Sequence, residues 1–126
     1  MEQKLTKKEQ QALDQFREMT EEAEIFQVRE LILSCDNKYQ FAKTHSNFLK
    51  DWEKTRKKME EQSQKGKLPP NTSIAFTKAT IEIGEELIQK KLKMVREAFE
   101  DKFGESVYDG YLGPDGKTKK IFGIFG

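Results

Sequence analysis

The segment that begins at Gly110 carries residue types that could bind phosphate, because Gly110, Gly116 and Lys117 approximate a phosphate-binding loop. Such a loop reads G-x-x-x-x-G-K-[ST]; its backbone amides curl around phosphate oxygens and its lysine reaches the outer phosphates. Here five residues separate the glycines instead of four, and the nine residues after Lys117 leave little room for the helix whose N-terminus holds the anion. Pro114 and Asp115 predict a tight turn instead, in a small hairpin or an irregular tail.

The single histidine and the single cysteine offer no catalytic or metal-ligating cluster. His45 falls in a row of aromatic residues with Phe48 and Trp52, which predicts a packed residue rather than a catalyst or a ligand. Cys35 follows a run of leucine and isoleucine, and nothing nearby would lower the pKa of its thiol, so we expect it to act as a small apolar residue. Acidic pairs are adjacent in sequence and therefore point apart on a helix. We expect no catalytic residue, no cofactor and no metal, and hence no enzyme.

Basic residues are concentrated between Lys54 and Lys67, and Trp52 beside them could stack on a base. Glutamates interrupt this stretch. The whole chain carries 23 basic and 22 acidic residues, a net charge of +1, so no long-range field would attract nucleic acid or an anionic membrane. We therefore expect neither nucleic-acid nor membrane binding, and keep a small nucleic-acid-binding or regulatory helical protein that uses the Lys54–Lys67 region as the alternative hypothesis.

The composition predicts one domain built from long helices. The chain has 126 residues, of which 36% are charged and 35% hydrophobic, with a mean hydropathy of -0.86. Such a polar chain favours long helices with wide solvated faces. A single cysteine fits a reducing cytosol, and neither a signal peptide nor a run of 18 apolar residues is present, so we expect a cytoplasmic protein, in the host cytoplasm if it is viral.

Capping residues predict where the first helices begin. Thr6 and Glu9 have the spacing of a capping box, and Asp36-Asn37 can cap a later helix. Thr20, followed by two glutamates, indicates a second N-terminus, so we expect shorter N-terminal helices before a long one. The long helix carries apolar and aromatic residues at spacings of 4, 3, 4, 3 and 4, which is a heptad pattern: Phe41, His45, Phe48, Trp52, Thr55 and Met59.

A second long helix should follow a linker at 62–71, because Gly66 and two prolines forbid helix continuation. Thr72 or Ser73 can cap it, and its apolar residues extend to Gly104. Its first stretch, 74–83, is rich in β-branched residues, so a strand there remains open. Gly84 marks a bend or a close packing contact. Two long helices joined by about ten residues tend to pack antiparallel.

The stretch from Val95 to Gly113 resembles the C-terminal part of small tail-assembly chaperones of long-tailed bacteriophages. In that family an amphipathic helix leads into a segment of Phe, Gly and an acidic or small residue, and then an aromatic or aliphatic residue before glycine. The matching positions are Phe99, Phe103, Gly104, Glu105 and Leu112-Gly113. The resemblance implies a non-enzymatic protein that self-associates and covers an aggregation-prone tape-measure protein until tail subunits assemble around it.

These patterns predict a mainly α single domain over 1–126, a helical bundle with two long antiparallel helices, shorter N-terminal helices and a tail at 104–126. We expect its function to be protein–protein interaction, with a tape-measure or tail protein as the partner, and we expect a homo-oligomer. The sequence does not separate core aromatic residues from contact residues. The candidates for partner binding are Phe48, Trp52, Phe99, Phe103, Phe122 and Phe125.

Overall fold

The mainly α fold is confirmed by a computed structural model, which describes residues 5–66 and 73–118. Three long helices follow one another: α1 (Lys7–Ser34), α2 (Lys38–Gln64) and α3 (Ile74–Phe103). A short 3-10 turn at Val107–Asp109 comes after α3. Within the two described ranges the extended backbone amounts to one isolated bridge, between Leu112 and Thr118.

The N-terminal region forms one continuous helix, in place of the shorter helices predicted from Thr20. The capping box is present: Thr6 Oγ1 accepts from the Glu9 amide at 3.1 Å, and Glu9 Oε1 accepts from the Thr6 amide at 3.1 Å. Thr20 lies inside α1. No glycine or proline occurs between Lys7 and Ser34, and the glutamates after Thr20 are good helix formers, so nothing interrupts the backbone hydrogen bonds there.

Local capping also sets the ends of α2 and α3. Asn37 Oδ1 accepts from the first amides of α2, and Ser73 Oγ accepts from the Phe76 amide at 3.0 Å. The stretch 74–83 is helical, so the strand alternative is wrong. Gly104 ends α3 in the left-handed conformation at φ 72°, and Gly66 has φ 66° after α2. These are the backbone conformations that only glycine adopts without strain.

Helix α3 packs against both other helices. At one end Ser73 donates to Glu9 Oε2 of the first turn of α1 at 2.6 Å. At the other end Lys102 donates to the carbonyl of Ile32 at 2.9 Å, near the end of α1. Helices α1 and α3 are therefore parallel, and α2 lies antiparallel to both, as the short 35–37 connection requires.

The apolar core is divided into two clusters. The larger one joins the end of α1, the start of α2 and the end of α3, and Phe41 and Phe99 meet there edge to face with ring centroids 5.8 Å apart. The smaller one joins the beginnings of α1 and α3 through Leu13, Ile83 and Leu87. Between the two clusters the helices are left partly open.

The residues after α3 form the predicted turn. The Gly113 amide donates to the Lys117 carbonyl at 2.8 Å, and the Gly116 amide donates to the Gly113 carbonyl at 3.0 Å. Gly116 has φ 79°, so it supplies the positive φ that the turn needs. The antiparallel bridge between Leu112 and Thr118 makes this a minimal hairpin.

Two sequence predictions fall partly outside the described residues. The expected linker at 62–71 begins within α2, which continues to Gln64 before a turn at 65–66. The remainder of that linker is outside the described ranges. The tail residues Phe122 and Phe125 are outside them as well, so their proposed role in partner binding stays a prediction.

Candidate functional site

An open groove lies between α1 and α2, with α3 as its floor. Helices α1 and α2 each pack along α3 but approach each other closely at few positions. The space between them has a volume of about 610 Å³. We call it the docking groove. Its lining residues are Phe16, Met19, Thr20, Ala23, Glu24 and Gln27 of α1, Phe48, Asp51, Trp52 and Thr55 of α2, and Gly84, Ile88 and Lys91 of α3.

The α2 wall of the groove is fixed by the packing of Trp52 on Gly84. A Cβ atom at Gly84 would overlap the six-membered ring of Trp52, so only glycine permits this contact. Trp52 Nε1 donates to Glu85 Oε2 at 2.6 Å, and Arg56 Nη1 donates to the same oxygen at 3.2 Å. The hydrogen bond from Trp52 is the main reason that the pKa of Glu85 is lowered. Gly84 is thus a close packing contact, one of the two roles predicted for it.

A buried lysine forms part of the floor. Lys91 is only 7% exposed, and its Nζ lies 3.7 Å from the centroid of the Phe48 ring, a cation–π contact. The same Nζ donates to Gln27 Oε1. Burial lowers the pKa of Lys91, and the charges of Glu24 and Asp51 act in the opposite direction. The ammonium therefore contacts an aromatic face and an amide oxygen, and two carboxylates act on it electrostatically.

The groove carries more negative than positive charge. Burial raises the pKa of Glu24, the attraction of Lys91 lowers it, and the repulsion of Glu21 raises it further. The lining contains two carboxylates, those of Glu24 and Asp51, and a single ammonium group, that of Lys91. Because burial disfavours the charged form of Glu24, a cation placed beside it would be favoured. Each wall of the groove thus combines apolar side chains with one carboxylate, and the floor carries the lysine.

The structure divides the predicted contact residues into two groups. Phe48 and Trp52 are half-buried and lie together on the α2 wall of the groove. Phe99 is 0% exposed, and Phe103 is partly buried against it with ring centroids 4.8 Å apart. The prediction that Phe99 contacts a partner is therefore wrong, because its side chain is enclosed in the core, and Phe103 serves mainly to cover that core.

His45 is a packed residue, as predicted. It is 1% exposed; its Nδ1 donates to the Gly116 carbonyl at 2.9 Å, and its Nε2 faces Arg96 Nη1 at 3.4 Å. These partners fix the neutral tautomer with the proton on Nδ1. Burial, reinforced by the charge of Arg96, lowers the pKa of His45 to about 4, against the opposing effect of the bond to Gly116. The histidine therefore fastens the C-terminal turn to α2.

The turn that approximates a phosphate-binding loop is occupied by protein contacts. Lys117 Nζ pairs with Glu53 Oε1 at 3.0 Å, and Gly116 packs against Leu49 and His45. The lysine is thus directed at a carboxylate of α2, and no helix begins at it within the described residues. The interpretation of GPDGKT as a turn is confirmed.

Metal and membrane sites are not found in the part of the chain that the structure describes. Across residues 5–66 and 73–118, no group of histidine, cysteine or acidic side chains has an arrangement that could hold a metal ion. None of the three helices is apolar over a stretch sufficient to cross a bilayer. Cys35 is half-buried and packs against the larger core cluster.

Sequence reasoning identified the α2 wall but missed the floor of the groove. The sequence patterns predicted no role for Lys91. The signal that could have revealed its burial is its position on the helix. Ile88, Leu92 and Val95 form part of the apolar face of α3. Lys91 follows Ile88 by three residues and precedes Val95 by four, so it lies on the same face. A charged residue on the apolar face of a helix indicates burial with partners.

Fold and groove together define a class, an open three-helix bundle with one unfilled face between two of its helices. Comparisons with protein-family models, with curated proteins and with solved structures found no match for this chain. The function must therefore be argued from the groove itself.

Proposed function

We propose that this is a non-enzymatic protein–protein interaction protein that binds a helix of its partner in the docking groove. The observation that carries the proposal is the groove: two helices lie apart above a third, and aromatic and aliphatic side chains line the opening. In four-helix bundles this position is filled by a fourth helix. Helix-in-groove binding is a common way to recognise an amphipathic segment.

The dimensions of the groove fit a short helix. Along α1 the lining extends from Phe16 to Gln27, which corresponds to about 16 Å at the helical rise per residue. An occupying helix would thus contact the groove over about three turns. Small or medium apolar side chains on one of its faces would meet Met19, Trp52 and Ile88.

The charge of the groove specifies the rest of the partner helix. Glu24 and Asp51 are in the lining, and Lys91 already has Gln27 and Phe48 as partners. A lysine or arginine at the edge of the apolar face of the partner would approach Glu24 and relieve the cost of its burial. We therefore infer an amphipathic partner helix with a basic border.

A finer proposal names the biological class of this interaction. The resemblance of residues 95–113 to phage tail-assembly chaperones supports a role in phage morphogenesis, in which the partner would be a tape-measure or tail protein. Such a partner is long and rich in apolar helical segments, and a groove that covers one apolar face would suit it. In this proposal the matching residues Phe99 and Phe103 shape the domain, and the groove makes the contact.

The single tryptophan allows a direct test. Trp52 lines the groove and is the only tryptophan of the chain, so its emission reports on groove occupancy. Two designed peptides of about 18 residues should be titrated, both with one leucine face, the first with lysines and the second with glutamates on the other face. We expect a saturable change in emission with the lysine peptide and a much weaker one with the glutamate peptide.

A matched pair of variants assigns the binding to the groove. Ala23→Phe fills the groove from the α1 wall, whereas Ala12→Phe makes the same change on an exposed position of α1 that is not part of the lining. Binding should be lost in the first variant and kept in the second. Equal binding by both variants, or no saturable change with either peptide, would contradict the proposal.

One observation favours the alternative function. Lys43, Lys50, Lys54, Lys57 and Lys58 are all exposed and follow one outer face of α2. Their spacing places them within about 100° around the helix and along about 22 Å of it. Such a basic face could follow a phosphate backbone, although Trp52 is turned into the groove rather than beside the lysines.

Salt-dependent retention on heparin and on single-stranded DNA, reduced by Lys54→Glu/Lys57→Glu, would support a nucleic-acid-binding role. No retention at low salt would remove it.

A further inference from the structure

A row of large apolar side chains is exposed along α1, outside the floor and the α2 wall of the groove. Met19 is 70% exposed, Phe26 62% and Leu33 80%. They are seven residues apart, so they lie on one face of the helix and extend over about 21 Å. We call these three residues the α1 row. Single exposed apolar residues are ordinary, but a continuous row at heptad spacing indicates a helix that packs against another helix.

Two charged residues stand on one side of the α1 row and complement each other. Glu22 precedes Phe26 by four residues and Arg29 follows it by three, and both are exposed. At 100° per residue both fall on the same side of the row. Among the described residues neither takes part in an ion pair, and they are too far apart along α1 to pair with each other.

We propose that a second copy of this chain covers the α1 row, with the two α1 helices antiparallel about a two-fold axis at Phe26. This axis places Phe26 against Phe26 of the second copy and Met19 against Leu33 of the second copy, twice. In an antiparallel two-fold pair, the flank that carries Glu22 and Arg29 lies on the same side of the interface in both copies. Arg29 of one copy therefore faces Glu22 of the second copy. Two ion pairs and three apolar side-chain contacts then close one symmetric interface.

The pairing of Glu22 with Arg29 belongs to the antiparallel orientation. A parallel two-fold pair in register would place the flanks that carry Glu22 and Arg29 on opposite sides of the interface, so Glu22 and Arg29 could not pair with each other across it. The antiparallel pair brings Glu22 of each copy against Arg29 of the other. Met19 is shared with the groove lining, but Glu22, Phe26, Arg29 and Leu33 are not part of it, so the pairing goes beyond the proposed function and its charge-reversal test does not depend on the groove.

The interface should be weak. Three apolar side chains with two flanking charges cover less than the roughly 800 Å² per partner of a standard interface. We therefore expect a concentration-dependent equilibrium of monomer and dimer, which sedimentation equilibrium can follow from about 10 µM to about 1 mM.

Charge reversal tests the register. Glu22→Arg and Arg29→Glu each convert both ion pairs into repulsions, and each should weaken dimerisation by about tenfold or more. The double variant restores opposite charges in the antiparallel pair, so it should dimerise like the parent chain. Glu61→Arg, the same change at an exposed site of α2, is the matched control and should have no effect. Raised salt should reduce the differences.

Unfolding cannot account for the expected result. Arginine at position 22 would stand four residues after Glu18 and form a favourable pair within the helix, so α1 is not weakened by this change. Circular dichroism should confirm equal helix content in all variants. A monomer throughout the concentration range would overturn the pairing, and so would dimerisation that survives Phe26→Ser. Failure of the double variant to recover would overturn the antiparallel register.

Discussion

Replacing Gly84 by alanine tests how the groove wall is built, because helix propensity and tertiary packing predict opposite signs. In a helix interior alanine stabilises by about 0.5–1 kcal/mol relative to glycine. Here the added Cβ would overlap the ring of Trp52, so the ring must swing into the open groove. The movement breaks the 2.6 Å hydrogen bond from Nε1 to Glu85.

The expected magnitude follows from these opposing contributions. A hydrogen bond to a charged acceptor at a partly exposed site contributes about 1.5 kcal/mol. Displacing the ring from its packed position costs about 1 kcal/mol more. With the gain in helix propensity taken into account, we expect Gly84→Ala to lower the free energy of unfolding by about 1.5 kcal/mol.

The assay is urea denaturation followed by circular dichroism, in the parent chain and in a Trp52→Leu background. Once the indole ring is absent, only helix propensity remains, so alanine at position 84 should stabilise the background variant by about 0.5–1 kcal/mol. The sign of the effect therefore reverses between the two backgrounds. If alanine stabilises both by the same amount, the packing of Trp52 on Gly84 is not what shapes the wall.

Three further predictions concern the core and the C-terminal turn. Phe99→Ala should lower the free energy of unfolding by about 3–5 kcal/mol in chemical denaturation, because the side chain is 0% exposed; a loss below about 1 kcal/mol would place it at the surface. Gly116→Ala should cost more than Gly104→Ala, since both have positive φ but only Gly116 would place a Cβ against Leu49 and His45; equal costs would mean that the turn is not packed on α2. Because the folded-state pKa of His45 is about 4, below its ordinary value of 6.5, the unfolded chain gains the proton first as the pH falls. The free energy of unfolding should thus decrease between about pH 6.5 and about pH 4, by up to about 3 kcal/mol, and His45→Gln should show a shallower decrease; an unchanged slope would contradict this origin.

Local signals predicted the helix ends well. Capping at Thr6, Asn37 and Ser73 depends on a side chain and an amide within three residues, so the sequence contains all the information needed. The error at Thr20 has the same local origin: a residue that can cap a helix does so only where the preceding backbone is not already helical. A capping signal inside an uninterrupted run of helix formers therefore carries little weight.

The site was predicted less completely, because it depends on the distance between helices. Phe48 and Phe99 are the same residue type at similar positions in apolar patterns, yet one lies on the groove wall and the other is enclosed. The difference arises because α1 and α2 lie apart along the groove, and no periodicity within a single helix encodes that spacing. Gly84 could be flagged from the sequence, but its pairing with Trp52 required the antiparallel register of α2 and α3.

The docking groove is tested most directly by locating where a basic amphipathic helix binds. In two-dimensional nitrogen–proton NMR of the labelled protein, the lysine-faced peptide should be titrated and the perturbed backbone amides mapped. We predict saturable shifts on all three helices around Thr20, Thr55 and Gly84. Shifts confined to the lysine face of α2 or to the α1 row, with these three amides unmoved, would contradict the account.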